Sequence, residues 1–381
     1  MRPHPWMLVA GDLTPLGGMD AANHALARHL AARGDELHLV AHRAWHDLQG
    51  LPSVTVHQVW RPFGRHLFGS PMLARAGQRL WARLQRRQAR VIANGGNCRL
   101  HGANWVHYVH AAFAPQLAGP KTQHAKAWFT HRRDVAAERA ALHAASVVIC
   151  NSQRTARDVV ERVGVPPARV AVVYYGTDPA RFSAIDAETR AAARTRLGVR
   201  DDRPLIGFVG ALGDRRKAFD TLFAAWVSLC RRHDWDATLL VVGSGAELDS
   251  WRARTAAVGL GDRITFLGFR DDVPQVLAAL DALVHPARYE AYGLSAHEAI
   301  CRGLPTLVSA SAGVAERYPD VLGDLLITDP DDEEELAERL LRWHARRDAY
   351  RDACGVFADT LRQRTWDDMA GEIVSLVEQA A

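Results

Sequence analysis

The chain has 381 residues, of which 48% are hydrophobic and 24% charged, with a formal net charge of +4. That length suits two domains, and the composition is that of a soluble globular protein with no apolar tract long enough to span a bilayer. Its five scattered Cys argue against a disulfide framework or a zinc site and suit a reducing cytosol, while a net positive run of the first 150 positions, poor in acidic residues, against a net negative remainder suggests halves with different partners.

Taken in chain order, WMLVA (6–10) reads as a first strand rather than a signal peptide, because Asp12 follows it at once. A loop with Gly17-Gly18 and an Ala/Leu-rich helix come next. ELHLVA (36–41), VTVHQV (54–59), ARVIA (89–93), WVHYV (105–109) and SVVIC (146–150) continue the strand series. After residue 200 the rhythm restarts with LIGFVG (205–210), TLLVV (238–242), RITFLG (263–268), DALVH (281–285) and PTLVS (305–309). Strands this apolar are buried on both faces, as in parallel sheets covered by helices, and the alternation predicts a doubly wound α/β architecture. The turn-rich stretch near 176–203 marks the junction, giving domains at 1–176 and 177–363. Cys150 and Cys301, in apolar surroundings, read as packing residues.

Two further stretches carry two readings each. DDEEE (331–335) reads as an acidic helix start rather than a metal site. In residues 72–90, Leu73, Ala76, Leu80 and Leu84 share a helical face beside Arg75, Arg79, Arg83, Arg86 and Arg90. That is either a basic helix lying on an anionic membrane or the solvated face of a packed helix. Near the end, Trp366, Met369, Ile373, Leu376 and Val377 fall at helical spacing.

The chemistry concentrates around EAYGLSAHE (290–298). Pro286 stops a strand, Gly293 permits close backbone approach, and Ser295 with Glu298 has the capping-box spacing that opens a helix. Glu290 and Glu298 then flank a strand-to-helix turn at the carboxyl end of a parallel strand, where open α/β sheets bind ligands. A helix amino end suits phosphate, and carboxylates suit hydroxyls. The ligand so described is a nucleotide sugar. Read blandly, Glu298 only caps and Glu290 is only a loop acid. Arg215, Arg216 and Lys217 follow the strand ending at Gly210 and can neutralise a diphosphate. The Gly243-Ser244-Gly245 run after a strand is an incomplete dinucleotide fingerprint, since Leu248 stands where a further Gly belongs. The loop after Gly268, with Phe269 and Arg270, is placed to read a base. In the first half, Gly17-Gly18 is either a ligand-approach loop or an ordinary turn. His107 reads as a structural His, and no third ligand accompanies His107 and His110 for a metal.

Together these segments resemble the retaining glycosyltransferases of family 4. Glu290 and Glu298 match that family's E-x7-E signature, with Tyr292, Gly293 and Leu294 inside it. Ser152 in NSQRTARDV, YYGTDPARF, DRRKAFDTL, VVGSGAE, FLGFRDDV and the Gly17-Gly18 loop are similar to family segments in the same order. The resemblance implies the GT-B fold, two Rossmann-like doubly wound parallel-sheet domains facing across a cleft, with the last helix, about 364–381, crossing back to the first. It implies that Glu290 contacts the donor sugar, Glu298 the ribose, and the Gly293 and Leu294 amides the sugar and diphosphate. Lys217 and an Arg (Arg215 or Arg216) would neutralise the diphosphate, and the backbone near Phe269 and Arg270 would hold the base. His110 resembles the family's His near the reacting centre, and Gly243, Tyr292 and Ser295 complete the expected donor set. Gly210-Ala211-Leu212 departs from the Gly-Arg-Leu of many members, and Pro286-Ala287 from their Pro-Ser.

The expected activity is transfer of a hexose-type sugar from a nucleotide-diphosphate sugar to a hydroxyl of a glycan or lipid-linked acceptor. No metal, other cofactor or nucleic acid is expected, and the expected location is cytoplasmic, with peripheral contact at an anionic membrane. The alternatives are another GT-B enzyme such as a nucleotide-sugar epimerase, a nicotinamide-dependent oxidoreductase, which the broken Gly fingerprint disfavours, and a catalytically silent carbohydrate-binding homologue.

Overall fold

The computed structural model describes residues 4–64, 66–116, 121–199 and 203–380. The chain divides into two compact units, one of residues 1–114, 125–176 and 364–381, the other of 115–124 and 177–363. The stretch 115–124, assigned by sequence to the first domain, groups with the second unit. Asp201 and Asp202, part of the expected junction, lie outside the described residues.

The first unit holds β1 (Trp6–Val9), β2 (Leu37–Ala41), β3 (Val54–Gln58), β4 (Arg90–Asn94), β5 (Ala103–Val106), β6 (Val147–Cys150) and β7 (Val170–Val172). They form one parallel sheet in the order β3-β2-β1-β4-β5-β6-β7. The order reverses between β1 and β4. Helices α1 (Gly18–Ala32), α2 (His66–Leu84) and α3 (Lys121–Ala144) follow β1, β3 and β5.

The strand expected at 105–109 runs Ala103–Val106 instead. His107 lies just past its end, with its side chain in a buried polar network. Its Nε2 lies 2.9 Å from Asn94 Nδ2 and its Nδ1 2.5 Å from the Tyr175 hydroxyl. Asn151 Nδ2 donates to the Tyr175 oxygen at 3.1 Å and to the His107 carbonyl at 3.2 Å. Burial pushes His107 down to about 3, so the ring is neutral. Its role is structural, as the sequence suggests.

Of the stretch 72–90, helix α2 holds residues 72–84 and packs on the unit's own sheet, while Gln85–Arg87 form a 3-10 turn and Arg90 opens β4 rather than continuing the helical face. Leu73 and Leu84 are buried with Met7, Val9 and Val40, and Ala76, Leu80 and Trp81 pack against the same cluster. The apolar stripe is thus occupied by the unit's own core, and what faces outward is Arg75, Arg79, Arg83 and Arg86.

The second unit holds β8 (Leu205–Val209), β9 (Thr238–Val242), β10 (Ile264–Gly268), β11 (Ala282–His285), β12 (Thr306–Ser309) and β13 (Leu326–Ile327). They too are all parallel, in the order β10-β9-β8-β11-β12-β13, reversing between β8 and β11. Near-continuous burial along β8, β9 and β11 is the reason these runs carry no polar alternation. Helices α4 (Phe219–Leu229), α5 (Leu294–Cys301) and α6 (Glu333–Ala345) follow β8, β11 and β13. Asp332 caps α6, its carboxylate accepting from the Glu334 and Glu335 amides at 2.9 Å each, so DDEEE is a helix start.

Helix α7 (Trp366–Gln379) belongs to the first unit. Thr365 opens it with a capping box to Asp368, and Met369, Ile373, Val374 and Val377 are buried. It packs on α1, with Arg33 and Glu378 paired at 3.1 Å. Each such buried side chain contributes about 1.5–3 kcal/mol relative to exposure.

Candidate functional site

In the second unit the strand order reverses between β8 and β11, and open α/β sheets bind ligands at the carboxyl ends of such a pair. The loop after β8 is built by close backbone packing. The Gly210 amide donates to the Val242 carbonyl at 3.0 Å, and that of Leu212 to Ser244 at 3.0 Å. Gly243 has φ +143°, and a Cβ there would overlap the Gly210 carbonyl. Its own amide donates to Gly268 at 2.8 Å. Gly243, expected in the donor set, therefore serves to lock three loops together, and its N–H is already committed.

Two residues of the same loop, Arg215 (φ 54°) and Ala218 (φ 50°), adopt the left-handed region without being glycine. Each such conformation costs on the order of 1–2 kcal/mol. Arg288, just past β11, opposes that strain. Its Nη1 donates to the Arg215 carbonyl at 2.6 Å and to Asp220 at 2.7 Å, its Nε to Asp331 at 2.5 Å, and its amide to the Arg216 carbonyl at 2.9 Å. Sequence reasoning passes over Arg288, because its partners lie far away along the chain.

This scaffold delivers Arg216 and Lys217 to Glu290. The Lys217 ammonium hydrogen-bonds Glu290 Oε2, and Arg216 Nη1 lies 3.6 Å from the same oxygen. Arg215 instead is exposed and lies 3.9 Å from Asp220, so Arg216 is the arginine that joins the cluster. His285, at the end of β11, is the second residue that sequence reasoning misses. It is fully buried, its Nε2 is 2.9 Å from Glu290 Oε2 and 3.5 Å from Lys217 Nζ, and its Nδ1 is buried with no hydrogen-bond partner. Burial and the adjoining Lys217 cation push His285 down, leaving it neutral. Burial alone would raise the Glu290 carboxyl. Lys217, His285 and Arg216 outweigh it and hold Glu290 well below the usual carboxylate range. The outcome is an ionised carboxylate ringed by two cations and a neutral imidazole.

Gly293 turns the chain into α5. Its φ of +105° suits glycine, and a Cβ there would come within 3.2 Å of Glu290 Cγ and of Val314 Cγ1. The helix cap is Gly293, not Ser295. The left-handed turn starts the helix at Leu294, so Ser295 lies inside the first turn and Glu298 lies too far along for a capping box. Glu298 is half-buried, and burial, opposed by Arg181, raises its carboxyl to about 7. Tyr292 is buried, with its hydroxyl 3.0 Å from His297 Nδ1. Its ring therefore points into the protein. Leu294 is also buried, so these two residues offer backbone at the turn. After β10, Phe269 is 74% exposed, while Arg270 is paired with Asp272 at 2.6 Å.

In the first unit, Gly17 (φ 85°) caps α1 and Gly18 is its first residue, beside the reversal between β1 and β4. Asp12, whose carboxylate lies 3.1 Å from Arg61, precedes this loop, and burial with Asp12 nearby raises Asp20 to about 6. His110 opens a single 3-10 turn, His110–Ala112, past the end of β5. Burial lowers its pKa, with His131 adding and Asp134 opposing. Among the described residues no group of three His, Cys, Asp or Glu side chains is placed to hold a metal ion.

Residues 16–181 match the family model described as Glycosyltransferase Family 4, and residues 203–346 the one described as Glycosyl transferases group 1. A 2-deoxystreptamine glucosyltransferase of Streptomyces kanamyceticus is 31% identical over 259 residues, covering 66% of this chain and 64% of that protein. The lipopolysaccharide glucosyltransferase WaaG of Escherichia coli K12 is 28% identical over 218 residues, covering 53% of this chain and 58% of that protein. The chain spans about three fifths of the length of the curated relatives it matches. The crystal structure of WaaG, a glycosyltransferase involved in lipopolysaccharide biosynthesis, superposes with a TM-score of 0.76 at 22% identity, covering 98% of this chain and 99% of that one. That likeness establishes the fold as GT-B.

Proposed function

This chain belongs to the family 4 glycosyltransferases, and we propose that it moves a hexose-type sugar from a nucleotide-diphosphate sugar to a hydroxyl of a glycan or lipid-linked acceptor, with retention of anomeric configuration. The observation that carries the proposal is the Arg216–Lys217–Glu290–His285 cluster beside the Gly293 turn. Cations and a helix amino end meet a carboxylate at a chain reversal of a parallel sheet.

In the proposed reaction the bond from C1 to the diphosphate breaks, and its electron pair leaves with the nucleoside diphosphate. Arg216, Lys217 and the first amides of α5 stabilise that charge. The acceptor oxygen bonds to C1 on the same face and passes its proton to a departing diphosphate oxygen. Glu290 orients the sugar hydroxyls, Glu298 the ribose, and the loop at Phe269 and Arg270 the base, while His110 contacts the reacting sugar. Because side-chain cations neutralise the diphosphate, turnover is expected to survive chelation of metals. The name of one relative, the lipopolysaccharide glucosyltransferase WaaG, supports an acceptor in bacterial polysaccharide or lipopolysaccharide synthesis, while the 2-deoxystreptamine glucosyltransferase favours a small hydroxyl-bearing acceptor. The outward arginines of α2 support peripheral contact with anionic lipid on the cytoplasmic side. No helix among the described residues is long and apolar enough to cross a membrane.

The test begins with thermal shift against nucleoside diphosphates and nucleotide sugars, followed by product analysis with and without acceptor. Donor binding followed by a new glycosidic product supports the proposal. Epimerised free donor, or no nucleotide binding at all, overturns it. Salt-sensitive flotation with anionic vesicles checks the membrane contact, and no flotation removes it.

A further inference from the structure

We infer that Glu138 is a positioning residue for the transfer, because its buried carboxylate grips the turn that carries His110. The inference rests on the proposed role of His110 and adds what holds that side chain in place. Glu138 lies on α3 with none of its surface exposed. The His110 amide donates to its Oε1 at 2.8 Å and the Ala111 amide to its Oε2 at 3.1 Å. Both oxygens of one carboxylate thus hold successive N–H groups of the turn, in hydrogen bonds about twice as strong as neutral ones. The grip is braced from behind. Gly96 follows β4, and a Cβ on it would come within 3.0 Å of the Glu138 backbone nitrogen. A side chain there would press on the α3 backbone, so Gly96 lets the helix that carries Glu138 pack closely behind the turn.

The charged and titratable groups facing Glu138 are Asp134 and Arg139 on its own helix and His110 on the turn. The turn at Gly95–Asn97 contributes none. Burial, with Asp134 adding and the two amides and Arg139 opposing, raises the carboxyl to about 7. As pH falls through that value the carboxylate takes a proton. One oxygen then presents a hydroxyl to an amide that also donates, and the grip on the turn weakens. Transfer should therefore carry an acid limb that originates in a residue remote from the reacting atoms.

The experiment measures kcat and KM for donor across pH 5.5–8.5, together with hydrogen exchange at the His110 and Ala111 amides corrected for intrinsic rate. Wild type, Glu138→Gln, Glu138→Asp and His110→Ala are compared. In wild type, exchange at the amide that comes to face the hydroxyl should rise and kcat should fall as pH drops through about 7. Glu138→Gln places an amide NH2 against a backbone N–H. The amide that faces the NH2 should exchange freely at every pH, and the variant should lose about 10- to 100-fold in kcat, the scale of an ångström's misplacement. It should lack the acid limb and keep the donor KM. Glu138→Asp keeps the charge at shorter reach and should retain the limb at reduced kcat, which also serves if the Gln variant fails to fold. Wild-type protection and a wild-type pH profile in Glu138→Gln overturn the inference while leaving His110 in its role. Undiminished turnover in His110→Ala overturns it through its premise.

Discussion

The pair formed by Lys217 and Glu290 allows stability and activity to be separated. Their side chains are 12% and 13% exposed, so each neutralises a charge that burial would otherwise penalise. Lys217→Met leaves Glu290 with His285 at 2.9 Å and Arg216 at 3.6 Å. That partial compensation places the loss at the low end of the range for breaking a buried pair, about 3 kcal/mol. Glu290→Gln leaves the ammonium beside Arg216 with no carboxylate on it, and the loss should approach about 5 kcal/mol unless Lys217 sheds its proton. The double variant buries no unpaired charge and should fall within about 1 kcal/mol of wild type, a coupling of several kcal/mol. Activity should not recover with stability. A missing cation costs the leaving group about 2.7–4 kcal/mol, or 10²–10³ in rate, by analogy with oxyanion-hole deletions. The assays are urea unfolding followed by circular dichroism, and release of nucleoside diphosphate at saturating donor. Additive stability losses in the double variant would refute the pairing, and restored turnover would refute its place in the site.

Ser295→Ala should change stability by less than about 0.5 kcal/mol, since Gly293 and not Ser295 caps α5; a loss near the ~1 kcal/mol typical of a true cap would contradict that geometry. Gly293→Ala, at φ +105° with Glu290 and Val314 in the way, should cost upward of about 1 kcal/mol and weaken donor binding in calorimetry. Unchanged affinity there would mean that the turn is not where the donor binds. For Glu298 the folded carboxyl is raised from 4.5 to about 7, so the folded state binds the extra proton between those values and stability drains away as pH rises through them. Glu298→Gln should therefore gain on wild type by on the order of 3 kcal/mol between pH 5 and 8 in denaturant titrations; a constant difference would show that the carboxyl titrates normally.

The strands of both sheets are legible because burial on two faces leaves short apolar runs that little else produces. β7 and β13 are not, being only three and two residues long in the structure. The run WVHYV misleads at its end because His107 looks like a strand residue until Tyr175 and Asn94, from distant positions, claim its ring. Ser295 misleads for a different reason. Its spacing to Glu298 satisfies a local rule, but the left-handed Gly293 starts the helix first. Lys217 and Glu290 are legible as charges at strand ends. His285 and Arg288 are not, because a histidine closing an apolar strand reads as core, and an arginine's value as a brace depends on the folded path of the loop it braces. Glu138 is hidden in the same way, since its partners are backbone amides.

One feature of the chain's path bears on synthesis. Gly176 lies so close to the Thr365 carbonyl that no side chain fits there, and α7 then covers α1. The first unit is consequently assembled from segments that lie before and after the second unit in the chain. During translation its α1 surface stays uncovered until residues 366–379 have emerged, after nearly all of the second unit has been made. A fragment cut at residue 176 would carry that sticky face permanently and should be prone to aggregate, whereas supplying α7 as a separate peptide should rescue its solubility.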